Sequence, residues 1–319
     1  MSQWLSKQIF FGMLFFILTL ACTLTWADSD TCPDEYARLS DNHSFCLPPN
    51  PTCNIKYTGV SQDEIDHILK LHNKYRSQVA MGQETRAGGL PTASDMLEMV
   101  WDDELAAVAQ KWADHCVYEH DCNDCRAVAN FPVGQNIAYQ DLICGNRQCL
   151  RTIKPSDLDP DWATVMKDFY DEVNDFDKSL VPKFQSRGGK EISHFTQIVW
   201  AKSWRVGCGF TVFLKGLTYR RFYVCNYGPA GNIVNAPIYQ QGKPGSACPI
   251  NSCVEGATCT GGNDYPGLCK MLDPNTAPIY PRNLNDLLFF CDSTPGTEDC
   301  SATANGTNNW RYASNLEGL

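Results

Sequence analysis

Three stretches of the chain repeat apolar residues at helical spacing, and two short runs after them change to a strand-like pattern. Ser61-Gln-Asp-Glu64 is a capping box, in which the hydroxyl and the carboxylate each satisfy a free backbone N–H of the first turn. It opens a helix to about Met81 whose positions Ile65, Ile68, Leu69, Tyr75 and Val79 share one face. Asp102-Asp-Glu104 places negative charge at the start of a second helix, where the macrodipole favours it. Leu105, Val108, Ala109, Trp112 and Cys116 follow at helical spacing. A third helix is predicted after Pro160, with Trp162, Val165, Met166, Phe169, Val173 and Phe176 forming a wide apolar stripe. Arg205–Phe213 and Arg220–Tyr227 are aromatic or β-branched and flank a turn at Lys215-Gly216. They read as an antiparallel hairpin. Register about that turn puts Cys208 opposite Cys225, close enough for a disulfide. Helices and a β-layer that do not alternate predict an α+β fold, a layered sandwich rather than a doubly wound sheet.

The N-terminus has another character. Lys7 precedes the apolar run Ile9–Leu20, and Thr25-Trp-Ala27 offers small residues for cleavage. Residues 1–27 therefore read as a secretory signal peptide. The run is shorter than the roughly 20 residues of a spanning helix, so no membrane span is expected after cleavage. Of 17 cysteines, only Cys22 lies in this leader. The remaining sixteen are an even number in an exported chain, as full disulfide pairing requires. A net charge of −10 argues against nucleic acid or an anionic membrane as the main partner, since both select a basic footprint. Asn42-His-Ser44 and Asn305-Gly-Thr307 are glycosylation sequons, and such sites sit on exposed loops.

Six histidines can be weighed singly. His43 falls in the sequon loop, and His67 and His115 lie off the apolar faces of their helices, facing solvent. His72 reads as a structural hydrogen-bonding group. His120 follows Cys116 by four positions, and His194 opens a short helical segment ahead of the hairpin. Ser193 abuts His194, but neighbours on a helix do not face each other, so the two make no dyad by themselves.

At Ser193-His-Phe-Thr-Gln-Ile-Val-Trp-Ala-Lys-Ser203 and Phe222-Tyr-Val-Cys-Asn-Tyr-Gly-Pro-Ala-Gly-Asn-Ile233 the chain resembles the two signature motifs of the CAP superfamily. That family joins cysteine-rich secretory proteins, antigen 5 and plant pathogenesis-related proteins of class 1. His72-Asn-x-x-Arg76 and Gly134-Gln-Asn-Ile137 match further family patterns in the family's order, over about residues 60–240. Ser193 departs from the family's usual Gly, Asp, Glu or Arg. The N-terminal cysteines and Trp101-Asp-Asp-Glu-Leu105 look most like the arthropod venom allergen 5 group.

The resemblance implies a three-layer α–β–α sandwich with a central cleft of two His and two acidic residues. Carried over by motif, these are His120, His194, Glu172 and Gln135, where many relatives have Glu. Gln hydrogen-bonds but cannot act as a base. No cofactor is required by this reading. His120, His194 and Glu172 offer donors for a weakly held zinc or other divalent cation, against a plain hydrogen-bonded cluster. The missing Glu at Gln135 weakens a metal-dependent protease, so a non-catalytic protein is expected, with an extracellular protein or a small apolar ligand as partner. A sterol or fatty-acid carrier is the alternative, with the 162–176 stripe as a possible groove, although such stripes are core far more often.

The resemblance also implies Cys32–Cys46 and Cys53–Cys116 bridges. Cys122, Cys125, Cys144 and Cys149 leave three connectivities open. The chain thus divides into a Cys-containing segment 28–59, the CAP-like region 60–240, a hinge-like segment 241–270 and a tail 271–319. The hinge, with Cys248, Cys253, Cys259 and Cys269, has little apolar content and is expected to hold its shape only through disulfides. Only Cys291 and Cys300 follow it, too few for the six-cysteine module with which some relatives modulate ion channels.

Overall fold

The computed structural model describes residues 32–186, 189–260 and 264–280. The leader, Cys291, Cys300 and Asn305 lie outside the described residues. Six helices are described: α1 Asp34–Ala37, α2 Gln62–Ala80, α3 Asp103–Asp114, α4 Arg147–Thr152, α5 Trp162–Asp171 and α6 Ser193–Ile198. The strands are β1 Ile55–Thr58, β2 Val100–Trp101, β3 Gly134–Ile143, β4 Arg205–Lys215, β5 Thr218–Gly228, β6 Ser252–Val254 and β7 Cys269–Met271.

The main sheet runs β1-β4-β5-β3, with β2 added parallel to β4. The β4–β5 hairpin has the register read from the sequence, Cys208 opposite Cys225, and the two are bridged. Strand alternation sends its side chains to two helical layers. Val206, Cys208, Phe210, Val212 and Tyr223 join Ile68 and Val79 of α2, Val165 and Phe169 of α5, and Phe195 of α6 in one core. Phe213, Phe222 and Val224 join Ala109, Trp112 and Ala113 of α3 in another. This is an α–β–α sandwich. Two glycines set how closely α3 approaches: a Cβ on Gly207 or Gly209 would lie 2.2–2.4 Å from α3 backbone atoms, inside van der Waals contact.

The capping box at Ser61 and Glu64 starts α2. The third helix is shorter than its stripe suggested. The α-helix stops at Asp171, and Glu172–Asp175 tightens to a 3-10 turn. All six stripe residues are buried in the core, so the stripe lines no groove. Burial in the one core shared with α2, α6 and the sheet, not helical continuity, explains its apolar pattern.

His67 is exposed as expected, but two other histidines depart from their sequence reading. His43 is buried; it is stacked 4.4 Å from Tyr36 and hydrogen-bonded to Ala127 O at 2.8 Å. The sequon residue Asn42 beside it is exposed, while Ser44 is buried and donates to Asp121. His115 is half-buried against the Trp112 ring.

The bridges Cys32–Cys46 and Cys53–Cys116 are present, and the open middle set resolves to Cys122–Cys125 and Cys144–Cys149. Cys248–Cys269 and Cys253–Cys259 staple the hinge-like segment. Disulfides are not its sole support. Cys269 N–H donates to Met96 O at 2.8 Å, Glu98 N–H donates to Cys269 O at 2.9 Å, and Leu268 is fully buried. The segment docks on the 96–98 stretch by backbone pairing that its composition does not reveal.

Candidate functional site

The motif residues around the sheet divide into a buried scaffold and the polar groups of the expected cleft. In α2, Arg76 is fully buried and donates to four carbonyls, those of Leu97, Ile198, Trp200 and Ala201, at 2.7–3.0 Å. Asn73 exchanges two hydrogen bonds with the Met99 backbone. His72 donates from Nδ1 to Ile68 O and accepts at Nε2 from the Tyr227 hydroxyl, at 2.8 and 3.0 Å. Burial pushes its pKa down to about 4, so it is a neutral structural group. These residues fix the loop that carries α6 and the end of β5.

His194 is the second residue of α6, and its ring stacks on Phe169 with centroids 4.6 Å apart. Its Nδ1 lies 2.5 Å from Glu172 Oε1, while Glu172 Oε2 accepts from Phe195 N–H at 3.0 Å. The single carboxylate therefore orients the imidazole and ties the end of α5 to α6. Glu172 reaches this position because the chain tightens after Asp171. Glu191 completes the group: potential ligand atoms of Glu172, Glu191 and His194 all lie within 4.8 Å of one another. Glu191 accepts from Ser193 N–H at 2.9 Å and from its hydroxyl. The Ser193 hydroxyl and the nearby His194 hold the Glu191 carboxyl below its usual range.

His120 has other company. Its exposed ring donates from Nδ1 to Gln135 Oε1 at 2.8 Å. Gln135 uses its amide to donate to Asp121 Oδ1 at 3.0 Å and Asn226 Oδ1 at 3.1 Å. Asp121 is itself buried and paired with Arg126 at 2.8 Å. Next along β3, Asn136 points the other way, donating to His194 O and the Tyr227 hydroxyl. The structure thus joins His194 to Glu172 and His120 to Gln135. No hydrogen bond or ring contact links the two histidines among the described residues.

A family model described as "Cysteine-rich secretory protein family" (CAP) matches residues 69–227. The chain is also 49% identical over 295 residues to "CRISP/Allergen/PR-1" of Trittame loki, covering 92% of this chain and 68% of that protein. The chain belongs to the CAP family. It is 41% identical to "Venom allergen 5" of Tityus serrulatus, over 94% of this chain and 70% of that one. Among solved structures, that of Na-ASP-1 matches with a TM-score of 0.50 at 29% identity, over 70% of this chain and 52% of the other.

Within this CAP fold, the position of Gln135 has a local cause. Its amide donates to two side-chain oxygens, one of them the Asp121 carboxylate. A glutamate there would have no proton to donate and would face a second negative charge. Sequence reasoning did not single out Asp121 or Glu191. Asp121 is the residue after His120, and Glu191 lies two before the first signature motif. Neither spacing carries a signal, because the partners come from other elements.

Proposed function

We propose that this CAP protein is a secreted, disulfide-stapled component of the venom allergen 5 type that acts without catalysis, by recognition of an extracellular protein. The observation that carries this reading is the 41% identity to "Venom allergen 5" of Tityus serrulatus over 94% of the chain, beside the 49% identity to "CRISP/Allergen/PR-1" of Trittame loki over 92% of it. The hydrogen bonding at the cleft supports the non-catalytic part. Hydrolysis by a serine needs the hydroxyl on the base and the base on an orienting group. Here Glu172 holds the His194 Nδ1 as an orienting group would, but the Ser193 hydroxyl donates to Glu191 and not to the imidazole, so the nucleophile-to-base contact is missing.

The cleft also suits a weakly held divalent cation. His194 with Glu172 and Glu191 supplies one imidazole nitrogen and carboxylate oxygens, donors that zinc or manganese accepts. Of the residues expected from the sequence, His194 and Glu172 belong to this set and His120 stands with Gln135. A bound ion would supply positive charge that locks the end of α5 to α6.

The test is expression of the full chain in a secreting host. The secreted product is expected to begin at Asp28 and to show no peptide or ester cleavage, with or without zinc, beyond that of His194→Ala. Turnover lost in His194→Ala with the fold intact would overturn the reading in favour of an enzyme. A stoichiometric lipid found by native mass spectrometry would overturn it in favour of a carrier.

A further inference from the structure

The far end of the β4–β5 hairpin carries chemistry that the cleft does not use. The chain turns there through Gly216 at a φ of +65°, which glycine adopts without steric cost. Ile143 ends β3 opposite Thr218, and Cys144 N–H donates to Leu217 O at 2.9 Å. Ile143 and Leu217 are therefore neighbours, and they are 74% and 37% exposed. The Cys144–Cys149 bridge then folds the chain back, so that α4 meets the hairpin. The Tyr219 hydroxyl reaches Leu150 O at 3.5 Å. An open cleft of about 610 Å³ lies there, lined by Arg147, Leu150, Arg151, Leu214, Gly216 and Leu217.

The charge of this end opposes that of the whole. Arg147, Arg151 and Lys215 are exposed, and none forms an ion pair with a described carboxylate. The nearby Asp141 is occupied by Arg220 at 2.7 Å. The chain as a whole carries −10. An anionic surface would repel most of the molecule and attract this end, so the charge distribution fixes one orientation.

We propose that this end docks on an anionic phospholipid bilayer, with Ile143 and Leu217 entering the headgroup boundary and Arg147 and Arg151 holding lipid phosphates. Projecting aliphatic side chains beside cations gain from a bilayer on both counts: burial of the apolar groups and attraction to anionic lipid. A soluble polyanion would use the arginines alone and leave Ile143 and Leu217 in water. The composition-level argument against an anionic membrane holds for the average surface and fails at this one place, because charge is distributed and not averaged. The bridge and the short loops keep the patch preformed, so little ordering cost opposes docking.

The experiment is co-sedimentation of the full, disulfide-intact protein with phosphatidylcholine vesicles, neutral or containing phosphatidylserine. Binding is expected only with phosphatidylserine and is expected to weaken as salt rises. Each arginine removed should lower the partition coefficient about five-fold, so that Arg147→Gln with Arg151→Gln lowers it about 25-fold. Leu217→Trp should show a blue-shifted emission on adding the anionic vesicles. All these positions are exposed, and circular dichroism matched to the parent protein verifies the fold. Absence of vesicle binding, binding unchanged in the double arginine variant, or an unshifted Leu217→Trp emission would each overturn the proposal. So would binding to a soluble sulfated polysaccharide with none to vesicles. The cleft reading survives any of these results, since it uses none of these residues.

Discussion

Replacing Arg76 with methionine tests how the motif His72-Asn-x-x-Arg76 works. The substitution keeps an unbranched side chain in place and removes the donors. Four carbonyls lose a partner. Two of them keep another: Ala201 O also accepts from Leu97 N–H, and Trp200 O from Ser203 N–H. Leu97 O and Ile198 O lose their arginine partner with no second such bond among the described residues. An unsatisfied buried acceptor costs about 1–3 kcal/mol, which gives about 2–6 kcal/mol for the pair. The buried charge offsets part of this, since burial pushes the Arg76 pKa down to about 9 and its removal relieves that cost. A net loss of about 3–4 kcal/mol is expected, a large share of a typical 5–15 kcal/mol. Urea unfolding with the bridges intact measures it, followed by tryptophan emission, because Trp200 and Trp204 lie in the affected loop. Arg76→Lys should recover only part of the loss, since one ammonium cannot reach four carbonyls. A loss below about 1 kcal/mol for Arg76→Met, with the denaturant slope unchanged, would refute the view that this guanidinium organises the loop bearing His194.

Glu98 at the docked hinge, 3.9 Å from Lys270, has its pKa pushed up to about 7 by burial, against the opposing pull of Lys270. A carboxyl raised above its unfolded value of 4.5 gives stability that is present below that value and lost as pH rises through 7. Glu98→Gln should therefore gain on the parent protein between pH 5 and 8, by about 2 kcal/mol after allowance for solvent, in urea melts across that range. His72, with its pKa lowered to about 4, gives the opposite slope. Its effect cancels from this comparison, and no gain between pH 5 and 8 would show that Glu98 is charged at little cost. Gln135→Glu should destabilise by about 1–3 kcal/mol at pH 7 and less at pH 4, because protonation restores a donor toward Asp121; an equal effect at both values would remove the proposed cause. Removing Cys53–Cys116, 63 residues apart, should cost about 4 kcal/mol, and removing Cys122–Cys125, three apart, about 2 kcal/mol. Chemical unfolding of the two double-alanine variants ranks them, and the reverse order would mean that loop closure is not the main term.

Periodicity and local chemistry gave the helices, the hairpin register and Cys208–Cys225, because each depends on residues a few positions apart. The capping box of α2 and the acidic start of α3 are local in the same sense. The four family motifs pointed to the fold and marked Gln135 and His194, and the wider resemblance added His120 and Glu172 as residues worth following. Pattern alone misjudged what packing decided. The apolar stripe past Asp171 looked like continuous helix, yet Glu172 leaves it to meet His194. His43 looked like a loop residue, yet it is buried beside Tyr36. The hinge looked like a segment held by sulphur alone, yet Leu268 and the 96–98 backbone anchor it.

The amino-acid order by itself determined where α2, α3 and α5 begin, that β4 pairs with β5, and which two cysteines face each other across that hairpin. The folded molecule alone decided which donor meets which acceptor: His120 with Gln135, His194 with Glu172 and Glu191, and a basic, apolar tip on an acidic chain. The reason is range. Turn geometry, caps and strand register act over a few bonds, whereas a hydrogen-bond partner or a charged patch depends on where distant segments come to rest when the two cores close.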